Sequence, residues 1–287
     1  MMEYLNNGSI SIAVSTTGAE LQSIQRNRTE YIWQRDKRFW TGSAPVLFPI
    51  CGRLKNDSYT LNGKSYTMPM HGFVKKKEFW VEEKSETRMV LRTDSTAETK
   101  ECYPFDFIFR VIFALNGNRV EVTYSVENRT DETMYFSFGA HEAYYCAGGI
   151  EQYELVFNND TELERYIIEN SMYVGKKETI VLPDGVFQPT YEEIKRCTYV
   201  FRDLKSTSVV LRERASGKQK VRVGFKDLGC LAIWSVQDAE YLCIEPWNGI
   251  SDYADTTGDL TKKDRIVSLH PHGIYARTHT IDVGETD

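Results

Sequence analysis

Phe107-Ile108-Phe109-Arg110-Val111-Ile112-Phe113-Ala114-Leu115, followed by Asn116-Gly117-Asn118 and then Arg119-Val120-Glu121-Val122-Thr123-Tyr124-Ser125-Val126, decides the fold class. The second limb alternates polar and apolar residues with period two, which turns one face of an extended strand toward a core. The first limb is rich in the β-branched and aromatic residues that suit a pleated surface. Asn and Gly between them adopt the positive φ that a tight turn requires, so the segment reads as a hairpin of two long antiparallel strands.

The same alternation recurs in Ser9-Ile10-Ser11-Ile12-Ala13-Val14, and further strands are predicted at 79–81, 89–92, 134–138, 154–157, 209–212, 221–225, 231–236 and 241–245. Turn signals punctuate them, as in Asn62-Gly63, Ala215-Ser216-Gly217-Lys218 and Asp227-Leu228-Gly229. Helical periodicity is nearly absent, with short helices expected only at 191–196 and 260–264. No linker or internal repeat divides the chain, so residues 1–287 read as a single all-β domain, a large antiparallel β-sandwich with few short helices.

Charge and composition exclude several classes. With 35 basic and 41 acidic side chains the formal charge is −6, the wrong sign for a nucleic-acid surface. The densest basic run, Lys75-Lys76-Lys77, is followed at once by Glu78 and reads as a solvated face. The 41% hydrophobic and 26% charged fractions fit a soluble globular chain and argue against disorder. Ala44 to Cys51 is apolar but broken by Pro45 and Pro49, and no membrane-spanning stretch is present. Met1 to Asn7 lacks a basic region and an apolar run of the kind export signals carry, so a cytoplasmic protein is expected. Cys51, Cys102, Cys146, Cys197, Cys230 and Cys243 form no CxxC pair and read as buried free thiols.

Four segments place ionisable residues beside Gly, Pro and aromatics at predicted strand ends. Ala44 to Leu54 delivers Arg53 from an apolar, proline-fixed backbone, and its guanidinium suits hydroxyls or anionic oxygens as well as a structural ion pair. Met68-Pro69-Met70-His71-Gly72-Phe73 sets an imidazole between a proline and a glycine. Tyr135 to Tyr145 ends an aromatic strand in Gly139-Ala140-His141-Glu142, and His141 exchanges protons near neutrality. Tyr241-Leu242-Cys243-Ile244-Glu245-Pro246-Trp247-Asn248-Gly249 carries a carboxylate to a strand end, where Pro246 is expected to stop the strand and Trp247 offers a flat face for a sugar. A desolvated Glu245 has a raised pKa and the strength of a general base.

Other motifs carry less. His270-Pro271-His272 and the acidic loop of Asp252, Asp255 and Asp259 lack the spacing of zinc or calcium ligands and read as solvent-facing turns. There is no GxGxxG, GxxxxGK[ST] or GxSxG, which leaves nucleotide binding and serine hydrolysis without support.

Taken in order, Tyr31-Ile32-Trp33-Gln34, Phe39-Trp40, Ala44 to Ile50 with Gly52-Arg53-Leu54, Met70 to Phe73, Gly139-Ala140-His141 and Cys243 to Trp247 with Gly249 resemble the aldose 1-epimerase (galactose mutarotase-like) superfamily, most closely its LacX-like bacterial branch. The resemblance implies a β-supersandwich with an open carbohydrate cleft that interconverts α and β anomers of a hexose or hexose phosphate without metal or organic cofactor. By matched position it implies Glu245 as the base that takes the C1 hydroxyl proton and His141 as the acid that protonates the ring oxygen. Arg53 and His71 would hold the sugar, and a carboxylate with a protonated imidazole would supply the two protonation states at neutral pH. A small-molecule sugar is then the expected partner, for a monomer or homodimer.

Two positions depart from the family pattern. Glu142 stands where many relatives have proline, so it either alters substrate choice or faces away, because strand neighbours point to opposite sides. The Asp that holds a sugar hydroxyl in relatives has no match around Cys197 to Phe201. These departures motivate the competing expectation of a non-catalytic sugar-binding or sensing protein that retains the cleft; a lyase or isomerase of sugar acids is a third.

Overall fold

A computed structural model describes residues 1–196 and 198–284. The predicted hairpin is its centre: Phe107–Asn116 and Arg119–Asn128 pair antiparallel with Asn116 opposite Arg119, and Gly117 turns the chain at φ 56°. Around this hairpin grows a nine-stranded antiparallel sheet, in the order Val186–Phe187, Tyr153–Phe157, Ser208–Glu213, Gln219–Gly224, Ile274–Val283, Arg119–Asn128, Phe107–Asn116, Arg88–Asp94 and Trp80–Lys84. A six-stranded sheet, Glu142–Tyr145, Tyr241–Trp247, Cys230–Trp234, Tyr199–Arg202, Glu162–Glu169 and Met172–Val181, lies against it. Aromatic contacts between Phe157 and Phe201, and a hydrogen bond from His279 of one sheet to Glu142 of the other, join their facing sides.

Alternation explains the core between them. Val111, Phe113, Val120, Val122, Leu242 and Ile244 are all buried and belong to one apolar cluster. The central strand Tyr241–Trp247 is buried at every position, because its second face is covered too. On that face Tyr241 and Cys243 pack with Trp33, and Trp247 packs with Leu47, Cys51 and Val200.

The strand predictions fall on observed strands, with 134–138 shortened to Met134–Phe136, which pairs with Val267–Leu269. The Asn62-Gly63 signal is a two-residue turn with both φ values positive, joining Ser58–Leu61 to Lys64–Thr67. Of the two expected helices, Tyr191–Arg196 forms, whereas the other is only a 3-10 turn, Leu260–Lys262, capped by Asp259. A further helix, Ala97–Cys102, escaped the periodicity because it is six residues long; a Thr96/Thr99 capping box starts it.

Cys51, Cys146, Cys230 and Cys243 are buried free thiols as expected, but Cys102 is only half-buried at the end of that helix, and Cys197 lies outside the described residues. Among the described residues no helix is long and apolar enough to cross a membrane.

Candidate active site

The ladder between Glu142–Tyr145 and Tyr241–Trp247 pairs Glu142 with Ile244. One step further along, His141 faces Glu245, and period two puts both on the covered face, away from the inter-sheet core. Their side chains meet: His141 Nε2 lies 3.3 Å from Glu245 Oε2, with Glu245 1% and His141 9% exposed. Glu245 Oε2 and His141 Nδ1 have no hydrogen-bond partner among the described residues.

Pro246 does not end this strand, contrary to the sequence expectation. A proline cannot donate to the ladder. Here Ala140 N–H donates to Pro246 O at 3.0 Å, and the carbonyl of Ala140 accepts the Trp247 indole Nε1–H at 3.0 Å instead of a backbone N–H. The indole replaces the missing donor, and the strand runs on to Trp247. Gly139 makes room for this, since a Cβ there would run into the Trp247 ring.

His71 reaches the same place from a strained loop. Its φ is 63°, and Gly72 at φ 67° passes so close to Phe48 O that a Cβ would collide with it. Gly52 N–H donates to His71 Nδ1 at 3.1 Å, which leaves the ring hydrogen on Nε2. The His71 ring centroid is 5.5 Å from that of His141 and 5.7 Å from that of Trp247. Trp40 and Trp234 complete an aromatic cage around His141, at 5.2 and 5.7 Å between centroids.

These residues line one cleft of about 920 Å³, which holds His71, His141, Glu245 and Trp247 together. Arg53 is placed differently: its guanidinium makes a two-pronged contact with Asp57, at 2.8 and 2.7 Å, and the cleft wall at that point is Gly52. Glu142 points the other way, into the core, where it is 2% exposed and accepts from or donates to His279 Nε2 at 3.1 Å.

Electrostatics follow from burial. Desolvation pushes the His141 imidazole down to about 3, and His71 is lowered well below its ordinary value by burial and by the neighbouring His141 and Lys75. Glu245 is raised well above the usual carboxylate range, first by desolvation and then by the Glu142 carboxyl, with the Trp247 indole opposing. Burial thus disfavours the charged form of both groups, the carboxylate of Glu245 and the imidazolium of His141. Both shifts run against the sequence expectation of a standing carboxylate and a protonated imidazole at neutral pH, because burial penalises each charged form.

Sequence reasoning missed part of the cleft. Lys75, Lys76 and Lys195 line it, although the lysine run looked solvated; Lys75 is half-buried, with Nζ donating to Met70 O at 3.0 Å. None of the three forms an ion pair among the described residues, and Glu20 is the only acidic lining residue there besides Glu245. Trp40 was visible as part of Phe39-Trp40 and Trp234 as part of the predicted strand 231–236, but nothing in the sequence aims them at His141. A second cavity, of about 660 Å³, lies at the edge hairpin beside Arg165, whose guanidinium is held by Glu193; it contains no comparable acid–base pair.

Comparison with known proteins agrees with the geometry. A family model described as aldose 1-epimerase matches residues 3–254. Protein LacX (chromosomal) of Lactococcus lactis subsp. lactis is 31% identical, with 97% of this chain and 98% of the relative covered. The crystal structure of a galactose mutarotase related enzyme from Lactobacillus acidophilus superposes with a TM-score of 0.93 at 30% identity, covering 100% of this chain and 98% of that one. A galactose mutarotase-like protein from Lactobacillus casei gives a TM-score of 0.93 at 26% identity, covering 99% and 100%. A β-supersandwich, an acid–base pair on its covered face and matches along nearly the whole chain converge on one conclusion: this chain belongs to the aldose 1-epimerase family.

Proposed function

We propose that this protein interconverts the α and β anomers of a hexose, and of a hexose phosphate in particular, by acid–base ring opening. The observation that carries the reading is the His141–Glu245 pair, 3.3 Å apart, with Glu245 Oε2 and His141 Nδ1 unpartnered among the described residues and both side chains lining the cleft.

The chemistry needs one group to accept a proton while another gives one. With one proton on the pair, carried by His141, Glu245 takes the proton from the C1 hydroxyl and His141 protonates the ring oxygen as the C1–O bond breaks. The sugar is then an open-chain aldehyde, and the pair holds its proton on Glu245. After rotation about C1–C2, the C5 hydroxyl attacks the other face of the carbonyl, returns its proton to His141, and Glu245 protonates the new C1 oxygen. One proton enters neither from nor to solvent, so the pair's net charge is unchanged through the cycle. His71 Nε2–H offers a hydrogen bond to a sugar oxygen, and Trp247 an apolar face.

The lysines favour an anionic sugar. Lys75, Lys76 and Lys195 gather at one cleft of a chain with net charge −6, without acidic ion-pair partners among the described residues. A phosphate on the hexose supplies the missing charge. Arg53 is committed to Asp57 and would have to release it to touch substrate.

Binding without turnover is the competing reading. One of its motives, Glu142, points into the core rather than the cleft. The other stands, since the wall of Thr198 and Val200 carries no acidic residue among the described ones. Polarimetry on freshly dissolved α-D-glucose, α-D-galactose and their 6-phosphates separates the two: accelerated mutarotation supports the enzyme, and rates equal to buffer for every sugar, with binding seen by calorimetry, would leave only the binding protein.

A further inference from the structure

Cys243 has no part in the ring-opening chemistry, yet it sits against the residues that do. It lies two positions before Glu245 on the same strand, hence on the same face, and across the ladder from Ala143. One donor atom each from His141, Cys243 and Glu245 fall within 4.8 Å of one another. Cys243 and Glu245 are almost fully buried and the His141 side chain is 11% exposed, and both His141 and Glu245 retain an unpartnered polar atom among the described residues.

An imidazole nitrogen, a thiolate and a carboxylate oxygen are the donor types that zinc takes, at about 2.0 to 2.3 Å each, with tetrahedral geometry. The donors of such a site stand roughly 3.5 Å apart. His141 and Glu245 already meet that spacing at 3.3 Å, and the Cys243 sulfur lies within 4.8 Å of both ligand atoms. Three protein ligands leave a fourth position open, and two of them, His141 and Glu245, line the cleft. The sulfur selects zinc and other thiophilic ions over magnesium or calcium.

Charge balance also fits a buried site. Zinc takes these ligands as thiolate, carboxylate and neutral imidazole, and the protons they carry are displaced to solvent. A divalent ion with two anionic ligands and one neutral imidazole is then uncharged, which avoids leaving a bare charge out of water.

We propose that His141, Cys243 and Glu245 form a zinc site in the cleft floor, and that Zn²⁺ bound there blocks the acid–base pair by occupying its lone pairs. The binding half of this inference stands on geometry alone; the inhibitory half rests on the proposed epimerase activity.

The test begins with the purified protein and metal alone. Zn²⁺ is titrated by calorimetry, and Co²⁺ by absorption, where a thiolate-to-cobalt charge-transfer band reports sulfur ligation. One equivalent bound, with the band present, is expected. In Cys243→Ala the band disappears and zinc affinity falls at least about tenfold, while Cys51→Ser keeps both. Should Cys243→Ala fold poorly, His141→Asn provides the second variant, with the thiol still in place and affinity reduced to a similar degree. Zinc is expected to slow anomer exchange in the wild type and to lose that effect in Cys243→Ala. Absence of saturable binding or of the band in the wild type, or a band undiminished in both variants, overturns the site. Binding without any effect on a demonstrated epimerase overturns the inhibition, and a protein inactive on all sugars still reports the site through the cobalt spectrum.

Discussion

His279 Nε2 and a Glu142 carboxylate oxygen meet at 3.1 Å in the middle of the sandwich, the imidazole fully buried and the carboxyl nearly so. They join the long strand Ile274–Val283 of the nine-stranded sheet to Glu142–Tyr145 of the six-stranded one, immediately behind His141. The His279 ring also stacks on Tyr124, at 5.6 Å between centroids. Removing one partner leaves a polar group stranded in an apolar core, so His279→Leu is expected to destabilise the protein by about 3 kcal/mol. Urea unfolding measures it; a loss under about 1 kcal/mol would show that the pair contributes little to holding the sheets together.

The pH profile carries a clear sign. His141 is pushed down to about 3 and Glu245 is raised, so neither group is expected to titrate where an ordinary histidine or carboxylate would. Activity is expected to hold on a plateau through pH 6.5, where an ordinary histidine would titrate. It falls at low pH only when a second proton is added to the pair, and at high pH when the one that the cycle uses is lost. A rate that drops tenfold per pH unit below about 6.5 would contradict this assignment of the acid.

Lysine at the cleft is expected to act on substrate charge. Lys75→Gln should raise KM for a hexose 6-phosphate about tenfold, corresponding to one charge-assisted hydrogen bond, and leave the free hexose nearly unchanged. Equal effects on both sugars, measured in parallel at fixed salt, would point to a structural role for Lys75 instead.

Gly139→Ala tests the strand repair. The added methyl meets the Trp247 ring, whose indole N–H completes the ladder at Ala140 O. Loss of about 1 to 3 kcal/mol in stability is expected, together with weaker sugar binding by calorimetry. Stability within about 0.5 kcal/mol of wild type would mean that the indole moves aside freely.

Much of this architecture is legible in the chain. Period two exposes the strands because each side chain chooses a face, and Asn116-Gly117-Asn118 and Asn62-Gly63 mark turns through backbone sterics. His71, His141, Glu245 and Trp247 stand out because Gly and Pro beside them signal irregular backbone, and the structure gathers all four in one cleft. Arg53 shared that signal but turned to Asp57, four residues on, since a local partner is invisible to a motif read alone. The lysine run is partly exposed as read, but that Lys75 and Lys76 border the cleft depends on tertiary position. Cys243, Trp40, Trp234 and His279 were hidden for the same reason: their meaning lies in pairings across more than a hundred residues or between sheets. Pro246 misled because its ladder donor is replaced by a side chain.

The most direct measurement is anomeric exchange by saturation-transfer NMR on glucose and galactose and their 6-phosphates, with wild type, Glu245→Gln and His141→Asn. The account predicts exchange faster than buffer for at least one sugar, greatest for a phosphorylated one, and a loss of about 10² to 10⁴ in either variant. Wild-type exchange equal to buffer for every sugar, or full activity in Glu245→Gln, would contradict it.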